Sequence, residues 1–217
     1  DEVLERHRAC INSPEGGSMT VPFTDSCTLL ISHRPMEGGG WVTTFDDITA
    51  HRHAEERIEH MALHDGLTGL PNRVNFNGRL DLELARVRKT GGKLAVIGID
   101  LDRFKEINDA HGHSAGDMVL CRLSERLGGI VGDNEFVARF GGDEFAAFKL
   151  FESEGELADF VTRVDDALSG EIVEEGMTIL PGASIGVAIF PGDGDTREQI
   201  INNADLAMYR AKASIGT

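Results

Sequence analysis

Basic residues are scarce in this chain of 217: 21 lysines and arginines stand against 37 aspartates and glutamates, a net charge of −16 at pH 7. So acidic a balance excludes a general nucleic-acid-binding or anionic-membrane-binding surface. A nucleotide can still bind where metal ions and backbone donors offset its phosphates. Cysteine is also rare. Cys10, Cys27 and Cys121 are scattered and odd in number, which argues against a disulfide framework and for a reducing, cytoplasmic setting. Long apolar runs are missing too. The longest, Leu94 to Ile99, is far too short to span a bilayer, and no signal peptide is visible. Neither an internal repeat nor a low-complexity tract occurs. The chain starts at Asp1 without an initiator methionine, as expected for a piece of a longer protein.

What is present begins with 41% hydrophobic residues, enough for a proper core. Residues 1–48 read as a small separate unit. Short β-prone runs occur at Met19–Phe23, Leu29–His33 and Trp41–Phe45, with Glu37-Gly38-Gly39-Gly40 as the turn between the last two. Residues 49–64 read as a connecting helix capped by Thr49. Ala54, Ile58, Met61 and Ala62 form a narrow apolar stripe that could seam two protomers. His60 and His64 share that helix at a metal-type i,i+4 spacing, but without a third ligand they read as part of a solvated face.

Residues 65–217 carry the larger pattern. Asp65 to Arg73 breaks the helix, and Asn72 caps the next one, which runs to about Val87. Lys93 to Asp102 reads as a central strand covered on both sides, and Gly116 to Leu127 as a helix. A hairpin then turns at Gly141-Gly142, where positive backbone dihedrals are needed. Glu154–Leu168, Gly182–Phe190 and Thr196–Ala213 follow as helix, strand and helix. This order implies one α/β (α+β) sheet with helices packed on it.

The chemistry gathers at two strand ends. Asp100 and Asp102, at i,i+2, leave a buried run on one face, and Asp143 and Glu144 sit at the hairpin tip. Taken singly, each acid also fits a solvated strand end. Converging together, they repel unless cations hold them, and hard oxygen ligands select Mg²⁺ or Mn²⁺. A short helix starting near Arg103 would aim backbone N–H groups at phosphate. Asn108 and Asp117 flank His111 to Gly116. They fit helix caps singly, and together an amide and a carboxylate suited to guanine.

These separated motifs resemble the GGDEF domain, the catalytic domain of diguanylate cyclases, from about His64 onward. Its carriers are Asp65 to Arg73, Asp100 to Asp109, His111 to Asp117, Arg139 to Phe145 and Ala204 to Lys212, with the five-letter signature intact. The resemblance implies a nucleotidyl-cyclase-like sheet with a ferredoxin-like core. It also implies condensation of two GTP molecules to cyclic di-GMP and pyrophosphate by a homodimer. It places metal at Asp100, the Leu101 carbonyl, Asp143 and Glu144, with Asp143 and Glu144 catalytic and Glu144 serving the attacking 3′-hydroxyl. Guanine falls to Asn108 and Asp117. Phosphates fall to backbone donors of Phe104 and Lys105 and to the Lys212 ammonium. Residues Ile31 to Thr49 resemble the closing strands of a PAS sensor domain, which implies regulation from upstream.

Two departures from the family pattern stand out. Where many members carry an inhibitory Arg-x-x-Asp product site, this chain has Gly132-Asp133-Asn134-Glu135, so no product inhibition is expected there. After Lys212 the chain reads Ala213 to Thr217, so a family arginine that contacts phosphate is absent or lies beyond residue 217. Two other readings share the residues. One is a silent GTP-binding regulatory domain ahead of a phosphodiesterase domain. The other is an adenylyl-cyclase-like or polymerase-like enzyme, which Asn108 and Asp117 disfavour.

Overall fold

The computed structural model describes Glu5, Ser13 and residues 15–24, 26–174 and 176–215. Cys10, Gly216 and Thr217 lie outside the described residues. Contacts divide the chain into two units, Asp1–His60 and Met61–Thr217.

In the first unit, β1 (Gly17–Thr24), β2 (Cys27–Pro35) and β3 (Trp41–Asp47) form an antiparallel meander in the order β1-β2-β3. The β2–β3 turn carries positive φ at Gly38, Gly39 and Gly40, the glycine turn expected there. Helix α1 (Thr49–Leu63) follows, and none of its side chains is buried; Ile58 and Met61 are exposed. Its start differs from the expected Thr49 cap. Thr49 is already helical, and its N–H and hydroxyl both donate to Asp47 Oδ1, at 3.0 and 2.6 Å. Its oxygen instead accepts from the Thr28 N–H at 2.8 Å, so the hydroxyl serves the sheet rather than the helix end.

The second unit holds α2 (Arg73–Thr90), β4 (Lys93–Asp102), α3 (Phe104–His111), α4 (His113–Ile130), β5 (Glu135–Gly141), β6 (Glu144–Phe151), α5 (Glu154–Ser169), β7 (Ile172–Glu174), β8 (Met177–Ile179), β9 (Gly182–Phe190) and α6 (Arg197–Ile215). The four-stranded sheet runs β5-β6-β4-β9 and every neighbouring pair is antiparallel, a ferredoxin-like core. Asn72 caps α2 as its sequence suggests, its Oδ1 accepting from the N–H groups of Val74 and Asn75 at 2.9 and 3.1 Å. The two-stranded β7–β8 ribbon has only three residues a side, too short to show strand periodicity in the sequence.

Strand alternation sorts β4 onto two cores. Ile97, Ile99 and Leu101 pack with α4 and α5 through Val119, Leu123, Phe160 and Val164. Leu94 and Val96 pack on the other face with Phe76, Leu80, Ile200 and Ala204, from α2 and α6. Both faces are covered, so β4 can be continuously apolar until it reaches Asp100 and Asp102.

The seat of α6 sets the geometry at that end. Gly98 of β4 pairs with Gly186 of β9, and α6 lies directly on their backbones. A Cβ on Gly186 would stand 2.0 Å from Met208 N and 2.3 Å from Ala204 O. From Met208 one helical turn reaches Lys212, a rise of about 6 Å, while two strand residues lead from Gly98 to Asp100, about 6.6 Å. The close seat therefore delivers Lys212 over Asp100. Gly186→Ala has to lift the helix backbone, not merely turn a side chain. We expect it to cost about 2 to 3 kcal/mol, read as a lowered urea midpoint; an unchanged midpoint would show that α6 has room to spare.

Candidate active site

The hairpin tip is built by backbone geometry that glycine supplies. Gly141 and Gly142 have φ of 131° and 55°, and β6 begins two residues later at Glu144. Asp100 of β4 pairs directly with Glu144 of β6, and the Leu101 N–H donates to the Asp143 carbonyl at 3.1 Å. Asp100-Leu101 and Asp143-Glu144, two pairs far apart in sequence, thus share one sheet end. Asp143 is half-buried and Glu144 exposed.

Arg139 fixes this tip from beneath. The residue is 7% exposed. Its Nε and Nη2 donate to the Gly142 carbonyl at 3.2 and 2.8 Å, and its Nη1 to Asp65 Oδ1 at 2.6 Å. Its backbone N–H donates to the Pro71 carbonyl at 2.9 Å. Asp65 is itself held in the loop after α1 by the N–H and hydroxyl of Thr68, at 3.0 and 2.6 Å. Burial pushes the Asp65 carboxyl up, but the hydrogen bonds from Thr68 and Arg139 and the guanidinium charge outweigh it, and its pKa lies below the ordinary 3.8.

Lys212 reaches into the acids from α6 and its ammonium donates to Asp100 Oδ1. That bond raises the lysine pKa against a smaller opposing effect of burial, and the charges of Asp100, Asp143 and Asp102 add to it. Asp102 accepts from the hydroxyl of Ser184 at 2.7 Å.

The residues expected at a nucleotide lie just past β4. Arg103 takes the left-handed conformation, φ 56° and ψ 25°, and so turns the strand into α3. Phe104 and Lys105 open that helix, where N–H groups have no intrahelical acceptor. Asn108 sits at its far end against Gly116 of α4. A Cβ on Gly116 would lie 2.0 Å from Asn108 Oδ1 and 3.1 Å from the Phe104 ring. That glycine therefore clears the space for the amide, and Asp117 follows it, exposed, in the first turns of α4. The structure thus brings Asn108 and Asp117 to one helix junction and the acids to the adjoining strand end.

Sequence reasoning missed the surroundings of Glu144. On the α2–α6 face, a cavity of about 570 Å³ is lined by Arg73, Phe76, Phe140, Glu144, Asp205 and Tyr209, among others. The Arg73 guanidinium lies 4.6 Å from the Phe140 ring centre. Burial pushes the Asp205 carboxyl up, opposed by the charge of Arg73. Adjacent arginine in Asn72-Arg73 and aspartate in Ala204-Asp205 were visible as motif letters, but only the fold makes them neighbours.

Among the described residues, no three His, Cys, Asp or Glu side chains form a metal-holding group by themselves. The donors are nonetheless hard oxygens, and an ammonium already stands against Asp100 as a cation would. Mg²⁺ habitually takes one or two carboxylates and completes its shell with water and substrate phosphate, so this set fits it. In the stretch 132–135, Glu135 is closed off. Its carboxylate accepts from Lys149 Nζ at 2.7 Å, Arg163 Nη2 at 2.6 Å and the Gly132 N–H at 2.8 Å.

Comparisons with known proteins find relatives of both units. A family described as "Diguanylate cyclase, GGDEF domain" matches residues 62–216, and one described as "PAS fold" matches residues 1–56. An "Uncharacterized signaling protein" of Caulobacter vibrioides is 44% identical over 204 residues, 93% of this chain and 25% of that protein. "Diguanylate cyclase TpbB" of Pseudomonas aeruginosa is 41% identical over 159 residues, 71% of this chain and 36% of that protein. The chain therefore spans only a quarter to about a third of the length of these relatives. A crystal structure of a "sensory box/GGDEF family protein" from Caulobacter crescentus superposes with a TM-score of 0.67 at 44% identity, covering 70% of this chain and 99% of that one.

The Asp65–Arg139 pair is largely buried, so losing one partner leaves an uncompensated charge. We expect Asp65→Asn to cost about 3 kcal/mol at pH 7. Because folding lowers this pKa below 3.8, the contribution is present above about pH 4 and is lost as the pH falls through the folded-state value. Urea midpoints of the two proteins should differ at pH 7 and converge as the pH is lowered below about 4; coincident midpoints at pH 7 would contradict the assignment.

Proposed function

The chain belongs to the GGDEF family of diguanylate cyclase domains, and on that premise we propose that it condenses two GTP molecules into cyclic di-GMP. The observation that carries the proposal is the convergence of Asp100, Leu101, Asp143 and Glu144 at one strand end, with Lys212 above them. Asp100 and Asp143, with the Leu101 carbonyl and Glu144, would hold Mg²⁺ or Mn²⁺. Such an ion supplies charge neutralisation and a lowered hydroxyl pKa when bound.

The remaining work falls to the chain's own groups. Asn108 and Asp117 orient guanine, the carboxylate accepting from N1–H and N2–H₂. Adenine offers no donor at N1, so GTP is selected over ATP. The N–H groups opening α3 and the Lys212 ammonium receive phosphate oxygens. Glu144 takes the proton from the 3′-hydroxyl of one GTP as that oxygen attacks the α-phosphorus of the other. The bond to the β-phosphate breaks and pyrophosphate leaves; the same step repeated in the opposite sense closes the ring.

Each protomer supplies one such half-site, so the reaction requires a homodimer with its sites face to face. The exposed Ile58 and Met61 stripe of α1 is a suitable seam for that pairing, under control of the PAS unit. GTP supply places the reaction in the cytoplasm. The closed Glu135 cluster supports a cyclase without inhibition through residues 132–135.

Incubation with GTP and Mg²⁺ should yield cyclic di-GMP by mass spectrometry, with ATP unconverted. Glu144→Gln should lower the rate at least about 100-fold. Cyclic di-GMP added at the start should leave the initial rate unchanged. GTP bound but never converted at high protein concentration would instead identify a silent regulatory domain.

A further inference from the structure

Ser184 is a hydroxyl in an otherwise apolar row. On the α6 face of β9 the sequence places Ser184, Gly186, Ala188 and Phe190, all buried. Gly186 is required by the seat of α6. The hydroxyl one step nearer the acids has a different role, a hydrogen bond to a carboxylate. Ser184 is 1% exposed and pairs across the ladder with Asp100. Its hydroxyl donates diagonally to Asp102 Oδ1 at 2.7 Å, and among the described residues no other hydrogen bond to that carboxylate is present. The second oxygen, Oδ2, lies on the Gly182 side, where an added Cβ would stand 3.6 Å away. Lys212 hangs above the same strand end and is bonded to Asp100.

We propose that Ser184 is a positioning residue that fixes Asp102 as the second berth for Lys212, receiving the ammonium whenever Asp100 is engaged elsewhere. The proposal deepens the functional reading and rests on it for its purpose. A metal–nucleotide complex at Asp100 would compete with the ammonium for that carboxylate and repel it by like charge. A displaced ammonium with no other anchor would swing into solvent on its four-carbon stem. Asp102 lies two residues along the same face and carries the only other strand-end carboxylate of β4. With its rotamer locked by a buried donor, it catches Lys212 within reach of the phosphates and spares the entropy of holding a long side chain there. Asp102 then serves the site without itself touching the reacting atoms.

Amine acetylation read by mass spectrometry tests this without metal or nucleotide, using Asp100→Asn to vacate the first berth. In Asp100→Asn, Lys212 should react within about twofold of the wild-type rate, since Asp102 takes it over. In Asp100→Asn with Ser184→Ala, or with Asp102→Asn, it should react about fivefold faster or more, the scale of one partly exposed ion pair. The Asp102→Asn arm decides the matter if loss of Ser184 unfolds the chain, and melting curves report which case applies. Full release of Lys212 in Asp100→Asn alone would overturn the proposal, as would protection that survives both second substitutions.

A kinetic arm separates positioning from bulk stability. Ser184→Ala should raise KM for GTP about fivefold while leaving kcat within about twofold, and Ser184→Thr, which keeps the hydroxyl, should restore KM. A parallel fall in kcat with KM unchanged would contradict it. If the wild-type protein neither binds nor converts GTP, the functional reading fails while the acetylation result still stands or falls alone.

Discussion

One guanidinium holds the site together. Arg139 spends its donors on two partners, the Gly142 carbonyl in the hairpin turn and the Asp65 carboxylate in the loop after α1. A hairpin tip with two successive positive-φ glycines is intrinsically loose, since glycine loses most conformational freedom on ordering. The buried fork removes that freedom at the point where the acids must be held. It also gives the loop from Asp65 to Arg73 a reason to exist. That loop bonds to Arg139 through both Asp65 and the Pro71 carbonyl, and it runs directly into the Asn72 cap of α2. Two hydrogen-bonded links thus join that loop to the strand that leads to Asp143 and Glu144.

The other side of the site depends on close packing instead of charge. The Gly98–Gly186 pair lets α6 rest on strand backbone, and the match between helical and strand rise carries Lys212 to Asp100. Buried donors then refine the arrangement, with Ser184 on Asp102 and Gly116 clearing space for Asn108. The small residues around this site carry no chemistry. They set the distances at which aspartate, glutamate and lysine can meet.

Much of this is legible in the sequence. The apolar run from Leu94 to Ile99 announced a central strand, Gly141-Gly142 a hairpin turn and Asn72 a helix cap, because each rests on a local rule of periodicity or dihedral preference. The GGDEF family and the PAS fold were legible through motif spacing. Other features were not. Thr49 looks like a cap by residue type, yet its hydroxyl bonds locally to Asp47 and accepts from Thr28 through tertiary contact. The ribbon of β7 and β8 is too short for periodicity to register. The cavity beside Glu144 joins residues from α2, the sheet and α6, and the Ser184–Asp102 bond spans 82 positions, so neither leaves a local pattern.

The proposed site depends on two pairs of residues, Asp100-Leu101 and Asp143-Glu144, meeting because the hairpin is clamped beside the end of β4. Anomalous diffraction from crystals soaked with Mn²⁺ and a non-hydrolysable GTP analogue tests it most directly. The account predicts a manganese peak bounded by the Asp100 and Asp143 carboxylates and the Leu101 carbonyl, with guanine against Asn108 and Asp117. A bound analogue with manganese elsewhere, or with none at that strand end, would contradict it.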